Sequence, residues 1–194
     1  MRTGLFGGTF DPIHMGHLFV AETVRNDFDL DRILFIPAAI PPNKVGLTFS
    51  PPEVRMKMTA LAIEKNPHFQ VSDIEVRMGG ISYTIDTIRR LKASEAWQED
   101  ELFLLIGSDS LLDLRTWKDP EALLEEIQVL VVKRPGFELE MVDLAFRDRF
   151  ELIQTPLVTI SSTEIRERIR SGKSIRYWVP DVVEKYIHRK GLYR

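Results

Sequence analysis

Six short apolar runs punctuate the chain: "RTGLF" (2–6), "RILFIP" (32–37), "FQVSDIEV" (69–76), "LFLLIG" (102–107), "QVLVVK" (128–133) and "FELIQ" (150–154). In several of them apolar residues stand side by side instead of alternating with polar ones, the pattern of strands covered on both faces. Such strands are parallel, and parallel neighbours need a crossover between them. The intervening stretches carry helix start signals. "SPPE" (50–53) and "SSTE" (161–164) read as capping boxes, and "KDPEALLEE" (118–126) places Pro120 directly after Asp119. Gly172 and Gly191 fall where helices should stop. The expected architecture is a doubly wound α/β fold with a mostly parallel sheet, whose ligands bind beyond the C-terminal strand ends near the topological switch.

The 194 residues suffice for one well-filled core, and residues 1–194 are expected to form one domain ending in a helical portion from about 160. No apolar run approaches the roughly 18 residues of a membrane span, and the opening "MRTGLFGG" lacks the basic and apolar regions of a secretion signal. With no cysteine, disulfides and thiolate metal sites are excluded, which fits a reducing compartment. A net charge of −3 argues against a surface built for nucleic acid. Between residues 160 and 194, however, nine Lys or Arg face four acids. A solvated helix face accounts for most of these cations, and an anion site needs only one or two. The longest loop, "AAIPPNKVGLTF" (38–49), has the length of a binding loop or lid and carries one cation, Lys44.

The stretch "GLFGGTFDPIHMGH" (4–17) concentrates glycine and histidine where a strand should give way to a helix. It does not supply the G-x-G-x-x-G of dinucleotide enzymes, and the "GKS" at 172–174 has Glu167 where a Walker motif needs its first glycine. What remains is a glycine turn (Gly7, Gly8), then Thr9 and Phe10, then His14 and His17 at a helix mouth. Glycines admit a phosphate to the backbone, and the free N–H groups and dipole of a helix N-terminus favour an anion by about 0.3–1 kcal/mol. Two histidines three apart share one face of the turn. Zinc is the rival reading, but His-x-x-His alone lacks a third ligand of evident spacing. Two capping histidines without chemistry are the plain alternative.

"GGTFDPIHMGH" resembles the nucleotidyltransferase signature ending in (H/T)-x-G-H, and "ISSTEIR" (160–166) resembles the second signature of that superfamily. The likeness continues through "SYTIDT" (82–87), "GSDSLLDLRTW" (107–117), "KRPG" (133–136) and the tail "YWVPDVVEKYIHRKGLY" (177–193), and is similar to the bacterial nicotinate-nucleotide adenylyltransferases in particular. One departure is Asn43, where that family commonly has histidine. The resemblance implies a Rossmann-like nucleotidyltransferase fold with C-terminal helices. It implies transfer of the adenylyl group of ATP to nicotinate mononucleotide, giving deamido-NAD and pyrophosphate, in the cytoplasm. His14, His17 and Arg166 would be catalytic. Gly7, Gly8, Thr9, Phe10, His17, Gly107, Asp109, Ser161, Ser162, Thr163 and Arg166 would hold ATP, and Lys44, Thr84, Trp117 and Arg134 the acceptor. Magnesium would ride on the ATP phosphates, with no protein metal site. The implied partners are these two small molecules, with neither nucleic acid nor a membrane, and oligomeric state is left open. The alternatives are a related adenylyltransferase acting on the amide mononucleotide, phosphopantetheine or riboflavin phosphate, or a nucleotide sensor without turnover. An aminoacyl-tRNA synthetase is disfavoured by the short chain and the missing Lys-Met-Ser-Lys-Ser loop.

Overall fold

The computed structural model describes residues 1–42, 45–156 and 158–194. Its strands are β1 (Arg2–Gly8), β2 (Arg32–Pro37), β3 (Phe69–Val71), β4 (Glu101–Gly107), β5 (Gln128–Val132) and β6 (Phe150–Ile153). They pair in parallel in the order β3-β2-β1-β4-β5-β6. The helices are α1 (Met15–Asp27), α2 (Pro52–Ile63), α3 (Ile74–Met78), α4 (Thr84–Lys92), α5 (Ser108–Leu112), α6 (Pro120–Glu126), α7 (Ser162–Arg170) and α8 (Asp181–Lys190).

The unbroken apolar runs have the expected cause. Along β2 and β4 alternate residues enter opposite cores: Ile33, Phe35, Phe103 and Leu105 on one face, Leu34, Ile36, Leu104 and Ile106 on the other. The first core is roofed by α1, α2, α7 and α8 through Ala21, Val24, Met58, Ile165, Val183 and Ile187, and the second by α3 to α6 through Ile74, Ile85, Ile88, Leu111 and Leu123. Each buried aliphatic side chain contributes roughly 1.5–3 kcal/mol. Sequential strands run outward from β1 in both directions, so the crossover direction reverses between β1 and β4. Their C-terminal ends part there and open a crevice.

Two local expectations fail. The run 69–76 is not one strand: β3 stops at Val71, and Ile74 begins α3. Ser72 Oγ accepts from the Ile74 N–H at 3.3 Å, and Asp73 forms an i,i+4 ion pair with Arg77 at 3.0 Å, so local turn chemistry overrides the apolar run. Ser50 likewise does not cap α2. Pro51 occupies the cap position without a side-chain bond, and Ser50 before it ties its N–H to Asp11 and its carbonyl to Arg55. At α7 the cap is present, with Ser161 Oγ accepting from Glu164 N–H at 3.1 Å. Gly191 ends α8 in the left-handed conformation, φ 62°, as its position predicts.

Candidate active site

β1 delivers Gly7 and Gly8 to the crevice, and the chain turns through Thr9–Ile13 into α1. His14 is the N-cap, and the two histidines cap each other: His17 N–H donates to His14 Nδ1 at 3.3 Å, and His14 N–H donates to His17 Nδ1 at 3.2 Å. Their rings stack with centroids 3.6 Å apart. A nitrogen that accepts from the backbone carries no proton, so each neutral ring has its hydrogen on Nε2. The capping reading and the catalytic one are therefore the same arrangement, in which the cap selects the tautomer that makes each imidazole a donor. Gly16 packs close between them: a Cβ there would stand 3.1 Å from His14 Nδ1, and the ring would have to yield by a few tenths of an ångström. His14 is buried, and burial, helped by the positive charge of Arg134, pulls its pKa down to about 4. It is neutral at pH 7.

Phe10 serves this turn from inside. The whole residue is 2% exposed and its ring meets the His17 ring edge-on at 5.0 Å, so Phe10 packs beneath the histidines. The mouth of α7 is stitched to the same turn. Ser162 Oγ donates to Pro12 O at 2.9 Å, and Arg166 donates to Asp11 O at 2.8 Å and to Thr163 Oγ1 at 3.2 Å. Sequence reasoning missed the deeper fastening. Arg55, only 1% exposed, spends its guanidinium on three carbonyls, those of Thr9 (2.7 Å), Ala39 (3.0 Å) and Ser50 (2.9 Å). In sequence it looks like a polar position of an ordinary helix, and nothing there marks it.

The crevice is a cleft of about 200 Å³ lined by His14, His17, Gly107, Lys133, Arg134 and Ser161, with apolar contacts from Phe6, Val158 and Ile160. Arg134 forms an ion pair with Asp109 at 3.3 Å, directly over Gly107, where any side chain would collide with both partners. Arg134 thus groups with the two histidines and Asp109, not with Thr84 and Trp117. Lys133 is a second cation that sequence reasoning did not single out.

Thr84 begins α4, and Trp117 lies half-buried against the second core. Lys118 joins their segments: its ammonium reaches both oxygens of Asp86 at 2.8 Å and lies 5.2 Å from the centre of the Tyr83 ring. Ile40, in the long loop, bridges to Ile81, and Ser82 Oγ accepts from Ala39 N–H at 2.9 Å, so the start of that loop runs beside the entry to α4. Lys44 and Asn43 lie outside the described residues.

A glycine turn and two helix mouths bonded together at the switch point of a 3-2-1-4-5-6 sheet form a Rossmann-like nucleotide-binding arrangement, and comparison with known proteins gives its class as nucleotidyltransferase. Residues 5–168 match the cytidylyltransferase-like family. The chain is 48% identical to a probable nicotinate-nucleotide adenylyltransferase of Thermus thermophilus, with 100% of both chains covered. It is 45% identical to the one so named in Thermomicrobium roseum, covering 100% of this chain and 92% of that one. Among solved structures it superposes on the Plasmodium falciparum nicotinic acid mononucleotide adenylyltransferase complexed with NaAD, with a TM-score of 0.81 and 21% identity, covering 99% of this chain and 97% of that one. The chain belongs to the nicotinate-nucleotide adenylyltransferase family.

Proposed function

We propose that this protein transfers the adenylyl group of ATP to the 5′-phosphate of nicotinate mononucleotide. A phosphate oxygen of the acceptor forms a bond to the α-phosphorus, the bond from that phosphorus to the bridging oxygen breaks, and pyrophosphate leaves with the electron pair. The nucleophile is already an anion near neutral pH, so no general base is needed and catalysis rests on position and charge. The observation that carries the reading is the reciprocal cap of His14 and His17, which fixes both imidazoles at a helix mouth on the lining of the cleft. In this reading His17 meets the α-phosphate and His14 its neighbour. Gly7, Gly8, Thr9 and the Phe10 backbone admit the triphosphate, with Lys133 and Arg134 balancing its charge. Arg166, Ser161, Ser162 and Thr163 close the site from α7, and Asp109 beside Gly107 faces the ribose.

Among the described residues no group of three or more His, Asp or Glu is placed to hold a metal ion. We assign magnesium, a hard cation that keeps much of its water, to the phosphates of ATP on its general chemistry. No helix among those residues is long and apolar enough to cross a membrane. We place the reaction in the cytoplasm, with ATP as donor. Trp117 stacks on the pyridine ring and the α4 mouth at Thr84 binds its carboxylate, since N–H donors satisfy an acid and repel an amide N–H₂. Lys44, from the long loop, is assigned to the acceptor phosphate. The test is pyrophosphate release from ATP with the acid and the amide mononucleotide side by side. The acid should be the better substrate, and equal use or amide preference would overturn the acceptor assignment.

A further inference from the structure

The penultimate residue of the chain reaches the glycine turn. After α8 the backbone reverses through Gly191, and Tyr193, itself at φ 65°, turns its side chain back into the first core. Its hydroxyl donates to Asp11 Oδ1 at 2.5 Å, across 182 residues of sequence. Asp11 is 2% exposed, its other carboxylate oxygen accepts from Ser50 N–H at 3.2 Å, and its carbonyl accepts from Arg166. One residue of the turn therefore joins the C-terminus, the entry to α2 and the mouth of α7. Burial and the Asp11 charge push the Tyr193 pKa far up, so the phenol remains a donor across the working pH range.

We propose that Tyr193 is a positioning residue for adenylyl transfer, whose hydroxyl latches Asp11 and thereby holds the His14–His17 pair in register with Arg166. The ring alone would suffice to anchor α8; it packs on the first core, and its oxygen lies 3.9 Å from Met58 Sδ. The hydroxyl does something the ring cannot. Without it, Asp11 Oδ1 is a buried acceptor that has lost its donor, and such a group recruits a replacement. Arg55 and Arg166 are the neighbouring cations that interact electrostatically with this pair, and they now hold the carbonyls of Thr9 and Asp11. Diverting either releases the turn that carries the histidines. Misplacing reacting groups by about 1 Å costs on the order of 10²-fold in rate, and a partial release costs less.

The proposal rests on the reaction assigned above. It is tested with Tyr193→Phe, Asp11→Ala and the double variant, assayed for pyrophosphate release at a temperature where circular dichroism shows each folded. Tyr193→Phe should lower kcat about tenfold with KM for both substrates within about threefold, and the double variant should be no slower than the slower single one. A Tyr193→Phe enzyme with kcat within twofold of the parent and only a lower Tm would overturn the latch, as would additive losses. If Tyr193→Phe does not fold, Asp11→Ala, which removes the acceptor, is read alone by the same split. A parent enzyme inactive on both mononucleotides would sink the reaction instead. Amide hydrogen exchange then still decides the latch, with residues 9–17 expected to exchange at least about tenfold faster in the variant and unchanged protection overturning it.

Discussion

The turn between β1 and α1 and the surface between α4 and residues 114–118 both present polar groups to a ligand, yet they are secured by different means. The first is fastened by half-buried hydrogen bonds from α2, α7 and the segment after α8, through Arg55, which is itself buried, and through Ser162, Arg166 and Tyr193. The second is tied by Lys118, whose side chain is 42% exposed, to Asp86 at 33%. The contrast follows from what each side must do. In-line displacement at a phosphorus tolerates little misplacement of donors, whereas a stacked ring can be accommodated by a surface that adjusts. Partly buried bonds, stronger where water is largely excluded, suit the first task, and solvent-screened ones suffice for the second.

The sharpest way to break this comparison is Arg55→Met. It removes the donor of three carbonyls, that of Ala39 buried and those of Thr9 and Ser50 half-buried, and with about 1–3 kcal/mol for each buried acceptor left unpaired, urea denaturation should show a loss of about 3–4 kcal/mol. A loss below 1 kcal/mol would mean that the turn is not held from beneath. Next in size is His17→Ala, expected to lower kcat by about 10²–10³, the scale of one preorganised transition-state donor, while the fold survives. Steady-state rates on the folded variant check it, and a loss under about threefold would remove His17 from the reacting centre.

How much of this was legible in the sequence differs along the same line. The strands show because Leu34–Ile36 and Leu102–Ile106 feed two cores at once, so the doubly wound sheet follows from apolar runs alone. His14 and His17 show because glycine turn and helix mouth are local in sequence. The bonds that fix them do not, since Arg55 meets its carbonyls 5, 16 and 46 residues away and Tyr193 meets Asp11 across 182. That the histidines cap each other was equally hidden, because histidine is not among the preferred capping residues. Where Ser72 and Asp73 end β3, local turn chemistry was present in the sequence but outweighed by the apolar residues around it. Arg134 sits with His14 and not with Trp117 because the β4 and β5 ends adjoin, a fact of topology rather than of motif.

Acid should separate the two sides by a smaller step than Arg55→Met. His14 has its folded pKa lowered from 6.5 to about 4, so between those values the unfolded chain binds a proton that the folded one refuses. Stability linked to this group is complete above about pH 6.5 and is lost as pH falls toward 4. At 1.36 kcal/mol per unit the loss totals about 3 kcal/mol. Denaturation midpoints followed from pH 7 to 4 should fall more steeply in the parent than in His14→Gln, and parallel curves would show that burial at the cap costs the imidazole nothing.

The smallest effect belongs to Lys118→Met, which removes the tie between Trp117's segment and α4. An exposed pair of this kind is worth about 0.2–1 kcal/mol, so the variant should unfold within about 1 kcal/mol of the parent, against several for Arg55→Met. Its signature should lie in binding instead. Losing the ammonium frees Trp117's segment and leaves Asp86 unneutralised in the first turn of α4, the end at which the acceptor carboxylate is proposed to dock. Acceptor KM should rise about two- to fivefold, while kcat and the KM for ATP hold, the pattern of lost uniform binding. Measuring both substrates in one set of assays decides it. A fall in kcat comparable to that of His17→Ala would show that the acceptor surface is as tightly committed to the chemistry as the turn, and the division between a rigid reacting side and an adjustable acceptor side would be wrong.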